Sequence, residues 1–421
     1  MDITSKSELV LAGGGVVAGD DLELLDPGYV VVRDGRITQV GAGEPPAGIP
    51  VVDLRGHLVV PGFINCHTHV GDSAFKELGF GLPATVNLLW QPDGLRFQKM
   101  AQTPRAELVA AMRRSVRQMI SAGTVAFADF REGGAAGVAD LREACRDLPI
   151  RCLIYARHAK NPLHTAAEFT ENRAGLSEDD IDSIVTMLAE ADGFSPVWAN
   201  ENTDVSLQQT AQLVRRIGKR LATHACETDG YRNLSLSRTG TPDVTRVVQL
   251  VAPDFVVHMT AATDDELDQV IDADIPIVMC PRTQAALGNG VPPFHLAAER
   301  GARLALGTDN VMISSPDLLT EMDFLGRALR VITRDPAVLT ARQILSSTTI
   351  DAARVLQLDD ELGSITAGKS ASLVVFDLDS LNLGATVDPI ASLVQRASAN
   401  DIRAVLIDGV IAHGSLGGRT T

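Results

Sequence analysis

The segment Pro61-Gly62-Phe63-Ile64-Asn65-Cys66-His67-Thr68-His69 ends an apolar run with two imidazoles one residue apart. In an extended strand, residues i and i+2 face the same side. His67 and His69 can therefore aim at one point, as two ligands of a single zinc or other first-row metal ion would. Three later segments also run from apolar residues into a polar end, namely Thr223-His224-Ala225-Cys226-Glu227, Val256-Val257-His258-Met259 and Leu306-Gly307-Thr308-Asp309-Asn310. Four of the nine histidines and one aspartate thus follow apolar stretches, and a shared metal would draw them together.

Something must hold these ends side by side. Candidate strands fall at 58–65, 125–130, 152–157, 195–199, 220–224, 255–258, 275–280 and 303–308. Amphipathic stretches at 105–121, 179–191, 207–219 and 264–271 separate several of them. Eight β units alternating with helices predict an α/β fold, a closed (β/α)8 TIM-type barrel. Barrel enzymes place their chemistry at the C-terminal ends of the strands, where the histidines and Asp309 fall. Both ends of the chain read as short strands with turns such as Arg33-Asp34-Gly35-Arg36 and Asp408-Gly409. They are expected to pair into one small β-sandwich, giving segments 1–57 and 361–421 around a barrel at 58–360.

Composition excludes several classes. A hydrophobic content of 45% supports a full core, and no run is long and apolar enough to span a membrane. The opening Met1-Asp2-Ile3-Thr4-Ser5 lacks a basic region before an apolar one, so no secretion signal is expected. Five cysteines without CxxC spacing suit a reduced, cytoplasmic protein. A net charge of −16 argues against nucleic acid as a partner.

The chain resembles the amidohydrolase superfamily, and within it the cytosine deaminase/chlorohydrolase branch, the TRZ/ATZ group. The resemblance rests on PGFINCHTH, HACET, CPRTQAALGNG, GTDN and the closing GSITAGKSASLVVFD, and it covers nearly the whole chain. It implies that His67, His69, His224 and Asp309 bind one divalent ion, zinc by expectation and ferrous iron as the alternative. An open coordination position would carry an activated water or hydroxide. Asp309 would also accept the water's proton. Glu227, in an H-x-x-E arrangement with His224, would shuttle that proton to the ring nitrogen and leaving amine. His258 would polarise the hydroxide or the substrate, or serve as a secondary ligand. Two-metal members bridge their ions with a lysine or acid from strand 3 or 4; Glu201 is the one candidate bridge, Lys160 reads as a pocket or surface charge, and a single metal is expected.

Substrate contacts are expected from the other strand ends. Trp90 and Gln91 offer an aromatic face and an amide for a flat heterocycle. Arg157, Asn200 and Arg282 join them, with Asp129, Arg131, His158, Asn202 and Thr283 nearby in sequence. The chain departs from better-known deaminases at Val70-Gly71-Asp72 and at Arg282-Thr283-Gln284, where Ser-Asn is common, and its arginines suggest an anionic or oxygen-rich substrate. The resemblance implies hydrolytic deamination of an amino-substituted heterocycle or nucleoside. Hydrolysis of a cyclic or acyclic amide, imidazolonepropionase-like, is the alternative, with dechlorination and a non-catalytic metal-binding role behind it. The partner is a small molecule, and family members often form homo-oligomers.

Overall fold

Parallel strands form the centre of the computed structural model, which describes residues 8–82, 94–159 and 163–416. They are β1 (Phe63–His69), β2 (Thr124–Arg131), β3 (Arg151–Ala156), β4 (Gly193–Phe194), β5 (Arg220–Ala225), β6 (Phe255–His258), β7 (Ile277–Met279) and β8 (Leu304–Leu306), paired in that order. Beyond β8 the chain runs through Gly307 and Thr308 into a short strand, Asp309–Asn310, that pairs in parallel with the end of β1. The ring closes there, and the fold is a TIM-type barrel. Closure needs glycine at 307: a Cβ on it would sit 2.6 Å from His67 Cβ and 2.9 Å from His67 N.

The helices follow from apolar spacing. Arg105–Ser121 buries Val109, Met112, Val116, Met119 and Ile120, a stripe at three- and four-residue steps against the barrel. Gly123, at φ 89°, stops that helix in the left-handed region and feeds β2. Among the described residues no helix is long and apolar enough to cross a membrane.

Outside the barrel lie two sheets drawn from both chain ends. One has six strands, in the order Val410–Gly414, Ile402–Ile407, Leu373–Asp377, His57–Pro61, Gly15–Ala18, Glu23–Leu25. The other has four: Arg36–Ala42, Gly28–Arg33, Leu9–Ala12 and Val51–Asp53. Alternation along the six-stranded sheet decides what each face covers. Leu58, Val60, Val374, Phe376, Val405 and Ile407 join the barrel-side core. Val59, Leu373, Val375, Ala404 and Leu406 join a core shared with Leu9, Leu11, Val30 and Val32 of the four-stranded sheet. A sheet buried on both faces reads as unbroken apolar sequence, which is why these strands lack a polar period.

Two expected strands differ in the structure. The stretch 58–65 is two strands, because Pro61-Gly62 breaks it: His57–Pro61 belongs to the six-stranded sheet and only the part after Gly62 enters the barrel. The expected boundary at 58 therefore falls inside an outer strand. The stretch 195–199 is displaced: β4 ends at Phe194, and Ala199–Glu201 is a 3-10 turn. Pro196 has no N–H for the ladder, and Val197 turns to φ 71°.

Candidate metal centre

Alternation along β1 turns His67 and His69 into the barrel mouth. Thr68 faces the other way and donates to Asp129 Oδ2 at 2.9 Å, while Cys66 packs in the apolar core. His224 ends β5, His258 ends β6, and Asp309 follows the Gly307 approach; all are buried. His67 Nε2 lies 3.3 Å and His69 Nε2 3.6 Å from Asp309 Oδ1. Donor atoms of His67, His224 and His258 lie within 4.8 Å of one another, as do those of His67, His69 and Asp309. Tetrahedral ligands at zinc–ligand distances of about 2.0–2.1 Å stand roughly 3.3 Å apart, so the spacing suits one ion. Among the described residues neither ring nitrogen of the buried His67 has a hydrogen bond, and a cation bound at Nε2 would satisfy the one that faces Asp309. The space among His69, His224, His258 and Asp309 is about 10 Å³, enough for one water-sized occupant. Glu201 belongs to none of the groups able to hold a metal among the described residues.

Neighbouring groups fix the rings. His69 Nδ1 faces Glu132 Oε1 at 2.9 Å and Phe130 O at 3.0 Å. His224 Nδ1 faces Val197 O at 3.0 Å. Donating through Nδ1 leaves each Nε2 lone pair for the centre. Val197 reaches this carbonyl by holding a φ that β-branched residues avoid, so backbone strain is spent on orienting a ligand. Burial pushes the His67 imidazole down to about 3, which keeps it neutral and able to coordinate. Burial alone would raise Asp309, but its close approach to His67 Nε2 at 3.3 Å outweighs this and the carboxylate lies below its ordinary range.

Glu227 follows the strained Cys226 (φ 44°), whose N–H is pinned by Asp243 Oδ2 at 2.7 Å. Its Oε2 stands 3.7 Å from His258 Nε2. Gln284 Nε2 is 3.1 Å from Glu227 Oε1 and 3.1 Å from His258 Nδ1. An acid, an imidazole and an amide thus flank the cluster on one side.

The expected substrate contacts separate into three groups. Trp90, Gln91 and Lys160 lie outside the described residues. Arg157 lines both the small metal space and an adjoining cavity of about 240 Å³. Asn200 and Arg282 line neither of these spaces. Asn200 donates to Tyr231 O at 2.6 Å and receives Arg246, while Arg282 donates to Ser315 O at 3.1 Å and through its backbone N–H to Glu321 at 2.8 Å. Both hold loops in place. Asp129 likewise pins β1 to β2 through Thr68 and the Val70 N–H.

Several residues of the site were not singled out from the sequence. Glu132 is buried amid Arg96, Arg131 and Arg157, and Arg96 also pairs with Asp72 at 3.3 Å. Burial would raise Glu132, but Arg96, His69 and Arg157 together hold it well below the ordinary carboxylate range. The signal was the charged pair Arg131-Glu132 closing a strand that is buried along its whole length, Thr124–Arg131. Trp198 stacks on Tyr231 (ring centroids 5.1 Å) and tilts against His224 at 4.9 Å, a support that no spacing rule reveals. In the larger cavity, His158 Nε2 and Asn202 Oδ1 are buried and have no hydrogen-bond partner among the described residues.

Comparison with known proteins agrees with this fold. The family model described as "Amidohydrolase family" matches residues 58–412. A putative aminohydrolase of Methanothermobacter thermautotrophicus is 31% identical over 403 residues, 95% of this chain and 98% of that protein. A 5'-deoxyadenosine deaminase of Methanococcoides burtonii is 25% identical, covering 96% and 92%. An atrazine chlorohydrolase of Arthrobacter aurescens TC1, solved with zinc, superposes with a TM-score of 0.83 at 18% identity, over 98% and 97% of the two chains. At that identity the likeness is one of fold.

Proposed function

The chain belongs to the amidohydrolase family, hydrolases that act on carbon–nitrogen bonds, and from that premise we propose that it is a hydrolytic deaminase of an amino-substituted heterocycle or nucleoside. The observation that carries the reading is Glu227 facing His258 at 3.7 Å beside a donor set fit for one metal. His67, His69, His224 and Asp309 would hold the ion, zinc before ferrous iron, and when bound it polarises water and lowers the water's pKa toward neutrality. Asp309 accepts the first proton. Glu227 carries a proton to the ring nitrogen and then to the departing amine, and His258 donates to the reacting oxygen. Water and the aminated ring carbon become a carbonyl and ammonia.

The adjoining cavity takes the part of the substrate that does not react. His158 Nε2 and Asn202 Oδ1, without a partner among the described residues, suit with the Arg157 guanidinium a polar appendage such as a sugar. Nucleosides are what the deoxyadenosine deaminase relative is named for, which supports a bipartite substrate. Arg96 and Arg157 beside the centre also suit an oxygen-rich substrate, and they keep cyclic-amide hydrolysis as the second reading. We read the two outer sheets, with their common core, as one small β-sandwich joined to the barrel at Gly62. The five free cysteines support a reducing, cytoplasmic setting.

The test is an ammonia-release assay on zinc-loaded protein with aminated purines, pyrimidines, pterins, triazines and their nucleosides, with metal counted on the same sample. Ammonia from one class with about one metal per chain is expected. Turnover of cyclic amides alone, without ammonia, would replace deamination by the second reading.

A further inference from the structure

Gln284 is fully buried on the helix Pro281–Ala286, directly after β7. A primary amide has two donor hydrogens and one acceptor oxygen. The oxygen is taken, because Asn289 Nδ2 donates to Gln284 Oε1 at 2.8 Å. The nitrogen then faces Glu227 Oε1 at 3.1 Å and His258 Nδ1 at 3.1 Å, one N–H for each. Flipping the amide would set its oxygen against a carboxylate oxygen and its NH2 against the NH2 of Asn289, so the network itself fixes the orientation.

This arrangement constrains His258. To accept from Gln284, Nδ1 must carry a lone pair, and the ring's single proton must sit on Nε2. An imidazolium would need an acceptor opposite Nδ1, and the only oxygen of the Gln284 side chain is already committed to Asn289. A protonated Nε2 has no lone pair with which to bind a metal. It is a donor, placed toward Glu227 and the centre.

We propose that Gln284, oriented by Asn289, is a positioning residue that makes His258 a hydrogen-bond donor to the reacting water, not a metal ligand, while steering the Glu227 carboxylate. The inference rests on the proposed roles of Glu227 and His258 in hydrolysis. It also explains how this chain works with glutamine at 284: the longer side chain reaches two partners from one position.

The experiment uses zinc-loaded full-length protein labelled with 15N-histidine, with His258 assigned by loss of its signal in His258→Asn. Long-range 1H–15N spectra should show His258 with a bare Nδ1 and a protonated Nε2. In Gln284→Met that single tautomer should be lost. Metal content should stay unchanged, KM should move less than about threefold and turnover should fall about 100-fold, the low end for an acid–base group. Asn289→Ala, which frees the amide oxygen, should lower turnover about 10-fold at unchanged KM, a partial loss of the same effect. A metal-bound Nε2 in the parent protein would overturn the proposal, as would a parent-like tautomer and turnover in Gln284→Met. Should Gln284→Met fail to fold, Asn289→Ala decides: unchanged tautomer and turnover there would refute the proposal. The spectra need no substrate, so an empty ammonia screen would count against deamination and leave the Gln284 assignment to stand or fall on its own.

Discussion

Glu227 and Glu132 are both buried carboxylates near the cluster, yet their surroundings give them opposite work. Glu227 faces His258 at 3.7 Å and accepts from Gln284 at 3.1 Å, the contacts on which its proposed proton-shuttling role rests. Glu132 is ringed by Arg96, Arg131 and Arg157 and touches His69 Nδ1, so it stays ionised and orients a ligand. Glu227→Gln should therefore keep the metal and the fold while turnover falls about 10²–10⁴-fold, the span of a lost acid–base group. Steady-state kinetics beside elemental analysis checks this, and near-parent turnover would remove Glu227 from the proton path. Glu132→Gln should act on the metal instead, weakening its affinity about 10–100-fold as loss of a ligand-orienting partner does. Competition with a chelator measures that affinity without a substrate. The role proposed for Glu227 was implied by the family resemblance that His224-Ala225-Cys226-Glu227 carries. That of Glu132 was not, because Glu132 gains its meaning only from the arginines that folding brings around it.

At the scale of strands and helices, β1, β5 and β6 were legible because apolar runs ending in histidine are local patterns. β4 was misplaced, since Pro196 and the turned Val197 end the ladder just where apolar sequence continues. The seam between β1 and β8 shows how tightly the elements must meet. Gly307→Ala would press a methyl group to 2.6 Å from His67 Cβ, and neither neighbour there is a flexible chain end. Overpacking of that kind costs about 1–3 kcal/mol. Thermal melting should show the loss, and metal affinity should fall with it, since the strand that shifts carries two ligands. A different tension lies where the helix after β7 meets the helix Leu318–Thr333. Burial lifts Glu321, which accepts the Arg282 backbone N–H, to about 8. A free glutamate titrates at about 4.3, so between about pH 4.3 and 8 the folded chain holds a proton that the unfolded chain has lost. Stability contributed by this group is full below that window and declines as pH rises through it. Glu321→Gln should flatten the decline, raising the melting temperature relative to the parent at pH 8 more than at pH 5. Parallel melting-temperature profiles for the two proteins would contradict the assignment.

Over the whole molecule, the outer sheets look peripheral to the chemistry, yet one of their strands runs into β1 with a single residue between them. His57–Pro61 lies between Leu373–Asp377 and Gly15–Ala18, and Gly62 alone separates it from β1. Phe376 packs against Phe63, the first residue of β1, with ring centroids 6.4 Å apart. The sequence showed β-rich ends and a hairpin at Asp408-Gly409, but not which face of each strand meets the barrel; that depends on alternation seen only once pairing is known. Removing residues 364–421 would strip the partner from His57–Pro61, leave an unpaired apolar edge and uncover Val60 and Phe63 together. The truncated chain should therefore aggregate and hold no metal, although every proposed ligand remains in it. Co-expressing residues 364–421 as a separate chain should recover soluble protein, because the missing surface is restored without covalent continuity. A truncated chain that stayed monomeric and bound about one zinc ion would show instead that the barrel sets its own first strand, and that the outer sheets serve some purpose other than holding His67 and His69 in register.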